Sequence, residues 1–312
     1  MPPLAPALCD RRQRRMADAT FTAVDLSRLP APQVVETLDY ETILAELIAS
    51  LRLLLPDFQP LESDPATKLL QVVAYREILL RQRINDAARA VMPAYASGAD
   101  LDNLAALLGV TRFTLDPGDP ALSIPPTMES DADLRRRMVL APEGYSVAGP
   151  EGAYIYHALS ADPDVLDASA TSPAPGEVVV SVLSRSGDGT ASPELIAAVA
   201  AHVSADRLRP LTDHVTVQSA EIVPYTVDAT LTTFSGPDGS VVINEAQRRI
   251  EAYVASSHRL GRDITISGIH AALHVEGVHR VVLTAPSADI IIGREQAPYC
   301  TSLTITYDGT GE

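Results

Sequence analysis

A chain of 312 residues with net charge −16, 46% apolar residues, 4% aromatics and no tryptophan is globular and strongly acidic. That composition excludes a wholly disordered chain, disfavours binding to a phosphate backbone, and leaves few aromatic platforms for bases or sugars. The length suits two or three domains with cores of Leu, Ile, Val and Ala.

Residues 1–30 read as a tail. The first fifteen are rich in Pro, Ala and Arg and carry net +3, which leaves −19 for the rest. Met16 opens a more ordinary stretch and is read as the start of translation, with 1–15 as a dispensable extension. PPLAPAL is too short for the apolar region of a signal peptide, and its charges follow it instead of preceding it. No apolar run approaches the roughly 20 residues that span a bilayer, so no membrane segment is expected.

Asp39 is placed to cap a first helix, with Glu41 in its first turn. Ile43, Leu44, Leu47, Ile48, Leu51, Leu54 and Leu55 recur at helical spacing until Pro56 stops them. Asp64-Pro65 starts a second helix that runs to about Val91, with Leu69, Leu70, Val73, Ile78 and Leu79 as its apolar stripe. A third covers Asp100–Leu108 and closes on Gly109. The apolar surface of 39–109 is generous for so short a stretch. It packs either on the rest of the chain or against a partner helix.

DPGDPALSIPP, residues 116–126, reads as a linker. Ser130 caps a helix whose body holds Arg135, Arg136 and Arg137, which cannot all share one helix face, with an acidic partner contact as the alternative to a plain surface. After Gly144, Gly149 and Gly152 the pattern changes to strands alternating with helices. A helix and strand lead to strand Val178–Leu183, the loop RSGDGT and a helix from Ser192-Pro193 to about Ala205. Strands follow at His214–Val223 and Thr226–Phe234, then a helix over Asn244–Ser257, a short strand at Asp263–Ile266 and a last strand Ser302–Tyr307.

Two echoes suggest a tandem duplication. Val199 and Val203 align with Ile250 and Val254, and Asp213-His214-Val215 with Asp263-Ile264-Thr265. Ile155–Leu159 followed by Val165 matches Ile269–Leu273 followed by Val278.

The groups that carry chemistry do not assemble. His270 and His274 stand four apart on an expected helix with His279 beyond, but Ala271 occupies the place of a metalloprotease Glu. Ser146 lies between Gly144 and Gly149 in a poor nucleophile-elbow spacing with no strand before it. Arg185–Thr190 has the position but not the residues of a phosphate loop, and Asp188-Gly189 reads as a turn. Asp162, Asp164 and Asp167 are explained by a helix end. Cys9 and Cys300, at opposite ends, give neither a disulfide framework nor a metal spacing and fit a reducing compartment. The expectation is therefore no enzyme, no catalytic, cofactor or metal site, and no cofactor.

Gly152-Ala153-Tyr154, His157–Asp162 and DASATSPAPGEVVVSVLSRSGDG resemble the baseplate J family of contractile phage tails. So do FTAVDLSRLPAP at 21–32, RPLTDHVTVQSAEIVPYTVDATL at 209–231 and GRDITISGIHAALHVEGVHRVVL at 261–283. The resemblance covers roughly 20–310 and leaves 1–15 unmatched. It implies a structural baseplate wedge component of a phage or tailocin-like particle that controls sheath contraction. Its partners would be a second copy, an I-type wedge protein, a W-type wedge protein of lysozyme-like fold, and hub and tail-fibre proteins. It implies neither nucleic acid nor membrane as partner, and a place in the virion tail after synthesis in the bacterial cytoplasm. A tail-associated wall hydrolase and a receptor- or sugar-binding tail protein are the alternatives.

The expected fold class is α+β: an N-terminal helical segment, then tandem mixed α/β modules with small sheets. The expected domains are the tail 1–30, a helical domain 31–112, a linker and helix 113–148, a first module 149–223 and a second 224–312. The strands of 149–184 are the expected place for sheet pairing within the module or for a surface shared with a second copy.

Overall fold

The computed structural model describes residues 36–236 and 239–311, with Leu26 and Leu29. Met16, Cys9 and most of the tail lie outside the described residues, as do Pro237 and Asp238 of the SGPDGS turn. The fold is α+β. The helices are α1 Tyr40–Leu54, α2 Pro65–Ala90, α3 Gly98–Ala106, α4 Asp131–Leu140, α5 Glu151–Ala161, α6 Pro193–Val203, α7 Gly239–Ser257 and α8 Ile266–Leu273. The strands are β1 Thr114–Asp116, β2 Thr127–Met128, β3 Val165–Thr171, β4 Glu177–Ser184, β5 His214–Ser219, β6 Glu221–Phe234, β7 Val278–Ala285 and β8 Gln296–Gly311. The chain divides into a helical unit, Met1–Arg112 with Ser130–Val139, and an α/β unit, Phe113–Glu129 with Leu140–Glu312.

Local chemistry sets the helix ends of the first unit. Asp39 accepts the Thr42 N–H at 2.9 Å, and Asp64 accepts that of Ala66 with Pro65 in the first turn. The third helix begins at Gly98, two residues earlier than the sequence suggests, because its cap comes from elsewhere. Ser97 makes no capping bond, and the Gly98 N–H donates to Asp131 at 3.1 Å from the start of α4. Arg112 joins Asp131 to Asp102, each at 2.7 Å, and holds the Asp131 carboxyl below its ordinary range. The helix ends in paired bonds from Val110 N–H to Ala105 and from Gly109 N–H to Ala106, with Gly109 at φ 72°. Arg135 and Arg137 are spent inside the unit, on the carbonyls of Pro93, Ala96 and Thr111. Those bonds occupy two of the three arginines that an acidic partner could have met.

In the α/β unit, the stretch read as a linker folds as a hairpin. β1 pairs antiparallel with β2, Asp119 bridges Ile124, and the Glu129 N–H returns to the Phe113 carbonyl at 2.9 Å. Two three-stranded sheets follow, ordered β3-β4-β5 and β7-β6-β8. The strand read as His214–Val223 is two strands in different sheets. β5 ends at Ser219, and β6 starts at Glu221 after the buried Ala220. Asp263–Ile266 makes no sheet strand, only a bridge from Ile264 to Ile290, and Thr265 caps α8. The final strand is much longer than Ser302–Tyr307 because it pairs along all of β6.

The sheets share one plan. A centre strand, β4 or β6, has an antiparallel neighbour, β3 or β7, and a parallel one, β5 or β8. One helix follows each centre strand (α6, α7) and one precedes each antiparallel edge (α5, α8), and the two helices of a pair pack together. The echo of Val199 in Ile250 and the echo of α5–β3 in α8–β7 fall on equivalent places. The order does not repeat: the first module runs α5-β3-β4-α6-β5, the second β6-α7-α8-β7-β8. A simple tandem duplication is therefore corrected, and Asp213–Val215 has no counterpart at Asp263–Thr265.

A polar seam joins the modules within this unit. Asp167, 3% exposed, accepts the N–H of Leu260 at 3.0 Å and of Ala168 at 2.7 Å. Ser169 donates to the Arg294 carbonyl, Thr171 and Gln218 both reach Glu295, and Arg294 pairs with Glu151. Leu183, Ala220 and Ala297 form the apolar centre of the seam.

Candidate interaction surface

The surface that stands out lies on the helical unit. Contact between α1 and α2 buries Ile43 from α1 and Thr67, Ala74 and Asn85 from α2, a small and partly polar set. Asn85, 3% exposed, does much of the holding: its Oδ1 accepts the Glu36 N–H at 3.0 Å and its Nδ2 donates to the Glu36 carbonyl at 2.9 Å. Replacing it with Ala leaves both Glu36 groups unmatched and is expected to cost about 2 kcal/mol. The check is denaturant unfolding of Asn85→Ala, in which an unchanged midpoint would refute the role.

The bulkier side chains of α2 point away. Leu69, Val73, Leu80, Ile84 and Val91 follow one another at alternating steps of four and seven, and each is exposed, Leu80 by 66% and Ile84 by 60%. Of the stripe expected from the sequence, Leu69, Val73 and Leu79 are thus outward, while Leu70 and Ile78 are half-buried. An eleven-residue repeat advances about 3.67 residues per turn, close to the helix's own period, so the stripe runs nearly straight. At about 1.5 Å per residue, the stripe from Leu69 to Val91 runs roughly 33 Å. Leu53, Leu54 and Leu55 at the end of α1 are exposed as well. Arg76 and Arg83 lie along one margin of the stripe and make no ion pair among the described residues. The stripe is therefore an apolar track with a basic border on an acidic protein.

The residues singled out for chemistry do not come together. His270 is on α8, which ends at Leu273; His274 is its exposed C-cap, and the His274 N–H donates to the His270 carbonyl at 2.9 Å. His279 lies on β7 with its ring 5.0 Å from that of Phe234. Among the described residues no group of three or more His, Cys, Asp or Glu is placed to hold a metal. Ser146 follows a 3-10 turn, Ala141–Tyr145, and its Oγ accepts the Ala148 N–H at 3.3 Å. Asp188 accepts the Thr190 N–H at 3.0 Å, which holds its carboxyl below the ordinary range, as a turn aspartate does. Asp164 takes the hydroxyls of Ser184 and Ser186, while Asp167 faces the seam. Cys300 is half-buried on β8, and burial raises its thiol pKa.

Sequence reading missed a histidine pair between α5 and α6. The rings of His157 and His202 are 5.7 Å apart, and His157 Nε2 donates to the Gly144 carbonyl at 3.2 Å. Burial lowers both pKa values; His202 adds to the effect on His157, and Arg207 to that on each. The unfolded chain therefore binds more protons below pH 6.5. Stability is complete above that value and falls as the pH drops through the lowered folded values. Taking the pH from 7.5 to 5.5 is therefore expected to lower Tm through this pair. A His157→Gln/His202→Gln variant should lose that part of the slope, and an unaltered slope would refute the assignment.

Three family models match the chain in order: a baseplate J-like N-terminal domain at 62–119, a central domain at 146–219 and a C-terminal domain at 225–306. The central match ends at Ser219, the last residue of β5, just before the chain changes sheets. Baseplate protein J of Escherichia phage P2 is 50% identical over 300 residues, covering 93% of this chain and 99% of the phage protein. Among solved structures, a chain in the cryo-EM structure of the anti-feeding prophage baseplate matches at 16% identity and a TM-score of 0.36, over 59% of this chain and 44% of that one. At that TM-score the likeness carries no argument. Among the described residues no helix is long and apolar enough to cross a membrane.

Proposed function

This chain belongs to the baseplate J-like family, and from that premise we propose that it is a wedge component that holds a contractile baseplate closed until the sheath is released. It is a structural protein of a phage tail baseplate, located in the virion tail. In the proposed wedge it meets a second copy and an I-type protein through the helical unit, and a W-type protein, hub and tail fibres through other surfaces. We also read residues 31–112, 113–148, 149–223 and 224–312 as its functional segments.

The observation that carries this reading is the outward stripe on α2. An aliphatic track of this length with little buried against its own chain suits an intermolecular helical bundle. Its near-straight course fits helices that pack almost parallel, and Arg76 and Arg83 favour a partner helix with acidic residues on the facing margin. The test is co-purification of a tagged chain with the I-type protein, using variants of the stripe. Undiminished capture by a chain with charges in the stripe would overturn the reading.

A further inference from the structure

We propose that the outer edge of β8 pairs with the same edge of a second copy, antiparallel about a two-fold axis centred on Ile305. The proposal rests on the reading that two copies meet in the baseplate, and it names the surface at which the α/β units meet. β8 is an edge strand: it pairs with β6 on one side, and no described strand covers the other. Its register with β6 is unbroken from Ser302 to Tyr307 and shifts on both sides of that window. On one side the shift lies between Tyr225 and Thr226 of β6, and on the other a bulge contains Gly309 at φ 75°. Nearer the start of β8, the Pro298 carbonyl is taken by His258 at 2.7 Å. The Ser302 carbonyl accepts from Cys300 Sγ at 3.3 Å, so the free window is Leu303-Thr304-Ile305-Thr306-Tyr307, which has no charge, no Pro and no Gly.

Edge strands usually carry such interruptions or charges, because an open row of N–H and C=O groups templates a further strand. The strands of 149–184 do not offer such an edge: β3 gives its Leu166 and Ala170 carbonyls to Arg259 and Arg294. β7 carries Arg280 in its exposed row.

Charge selects the occupant. Two molecules of net charge −16 repel over most of their surfaces, but nothing in this window repels its own copy. The pleat selects the register, since residues opposite one another must share a face. Centred on Ile305, Leu303 of one copy meets Tyr307 of the other and Ile305 meets Ile305 on the core-side row. Thr304 meets Thr306 on the outer row. Asp308 falls opposite Ser302, clear of its own counterpart. Tyr307, 46% exposed in the single chain, gains an aliphatic neighbour. The two sheets become one sheet of six strands.

The test places Thr304→Cys and Thr306→Cys, both on the exposed row, in a full-length chain with Cys9→Ser and Cys300→Ser. Mild oxidation at high protein concentration is expected to give a dimer whose cross-linked peptide joins position 304 of one copy to 306 of the other. Adding Leu80→Glu/Ile84→Glu should leave this cross-link intact, so failure of the helical docking is read separately. As a control, Arg280→Cys and Val282→Cys on the β7 edge, in the same cysteine-free background, should give no dimer. Absence of the 304–306 cross-link, or equal cross-linking by the control, would overturn the proposal, as would capture of a strand from another protein at this edge in the assembled baseplate.

Discussion

A Leu80→Glu/Ile84→Glu chain is expected to fold normally and to lose co-assembly with its helical partner. Both side chains are mostly exposed in the single molecule, so glutamate there meets water and the melting transition should barely move. In a bundle the same positions are covered. Burying a Leu or Ile contributes about 1.5–3 kcal/mol, so losing two removes roughly 4 kcal/mol before counting the desolvation of two carboxylates. That corresponds to about a thousandfold or greater loss of affinity. The measurement is a pair: thermal unfolding of the isolated variant and its capture by the I-type protein. Normal capture would show that the stripe faces solvent in the baseplate too. A strongly lowered Tm would show that it belongs to the chain's own core.

Replacing Asp167 by alanine should produce the largest loss of stability in the α/β unit. The carboxylate is nearly fully buried and accepts the Leu260 and Ala168 N–H groups, and Leu260 belongs to the opposite side of the seam. Alanine leaves the Leu260 N–H without its acceptor, and removing one partner from a buried charged network costs about 3 kcal/mol. For a unit of this size that is about 6–12 °C in Tm. Asp167→Asn keeps one acceptor oxygen and should recover part of the loss. Hydrogen exchange adds a local reading: the Leu260 amide should lose protection before the amides of α5 and α6. Equal protection at both places, with an unchanged Tm, would show that the apolar centre of Leu183, Ala220 and Ala297 holds the seam alone.

Most helix starts were legible because they are local. Asp39, Asp64 and Ser192 each cap their own helix by accepting an N–H two or three residues ahead, and Ser130 accepts that of Asp133. Two starts show the limit of that reasoning: α3 is capped by Asp131, 33 residues away, and α7 begins at Gly239, five residues before the expected Asn244, so both were misplaced. The single strand drawn over His214–Val223 failed for a similar reason. Nothing in an apolar run announces that residues on either side of Ala220 will find different partners. The poor spacing of the candidate groups was legible, whereas the place of His274 at the cap of α8 required the backbone itself.

By itself, then, the sequence determined the α+β class, the places where most helices begin and, through motifs in order, the family. These depend on interactions a few residues long or on strings that can be matched directly. Only the tertiary structure decided which way the apolar side chains of α2 face, how the two sheets repeat one plan in different chain order, and which edge stays open on β8. Periodicity marks an apolar face without naming what covers it, and strand pairing joins residues far apart in the chain.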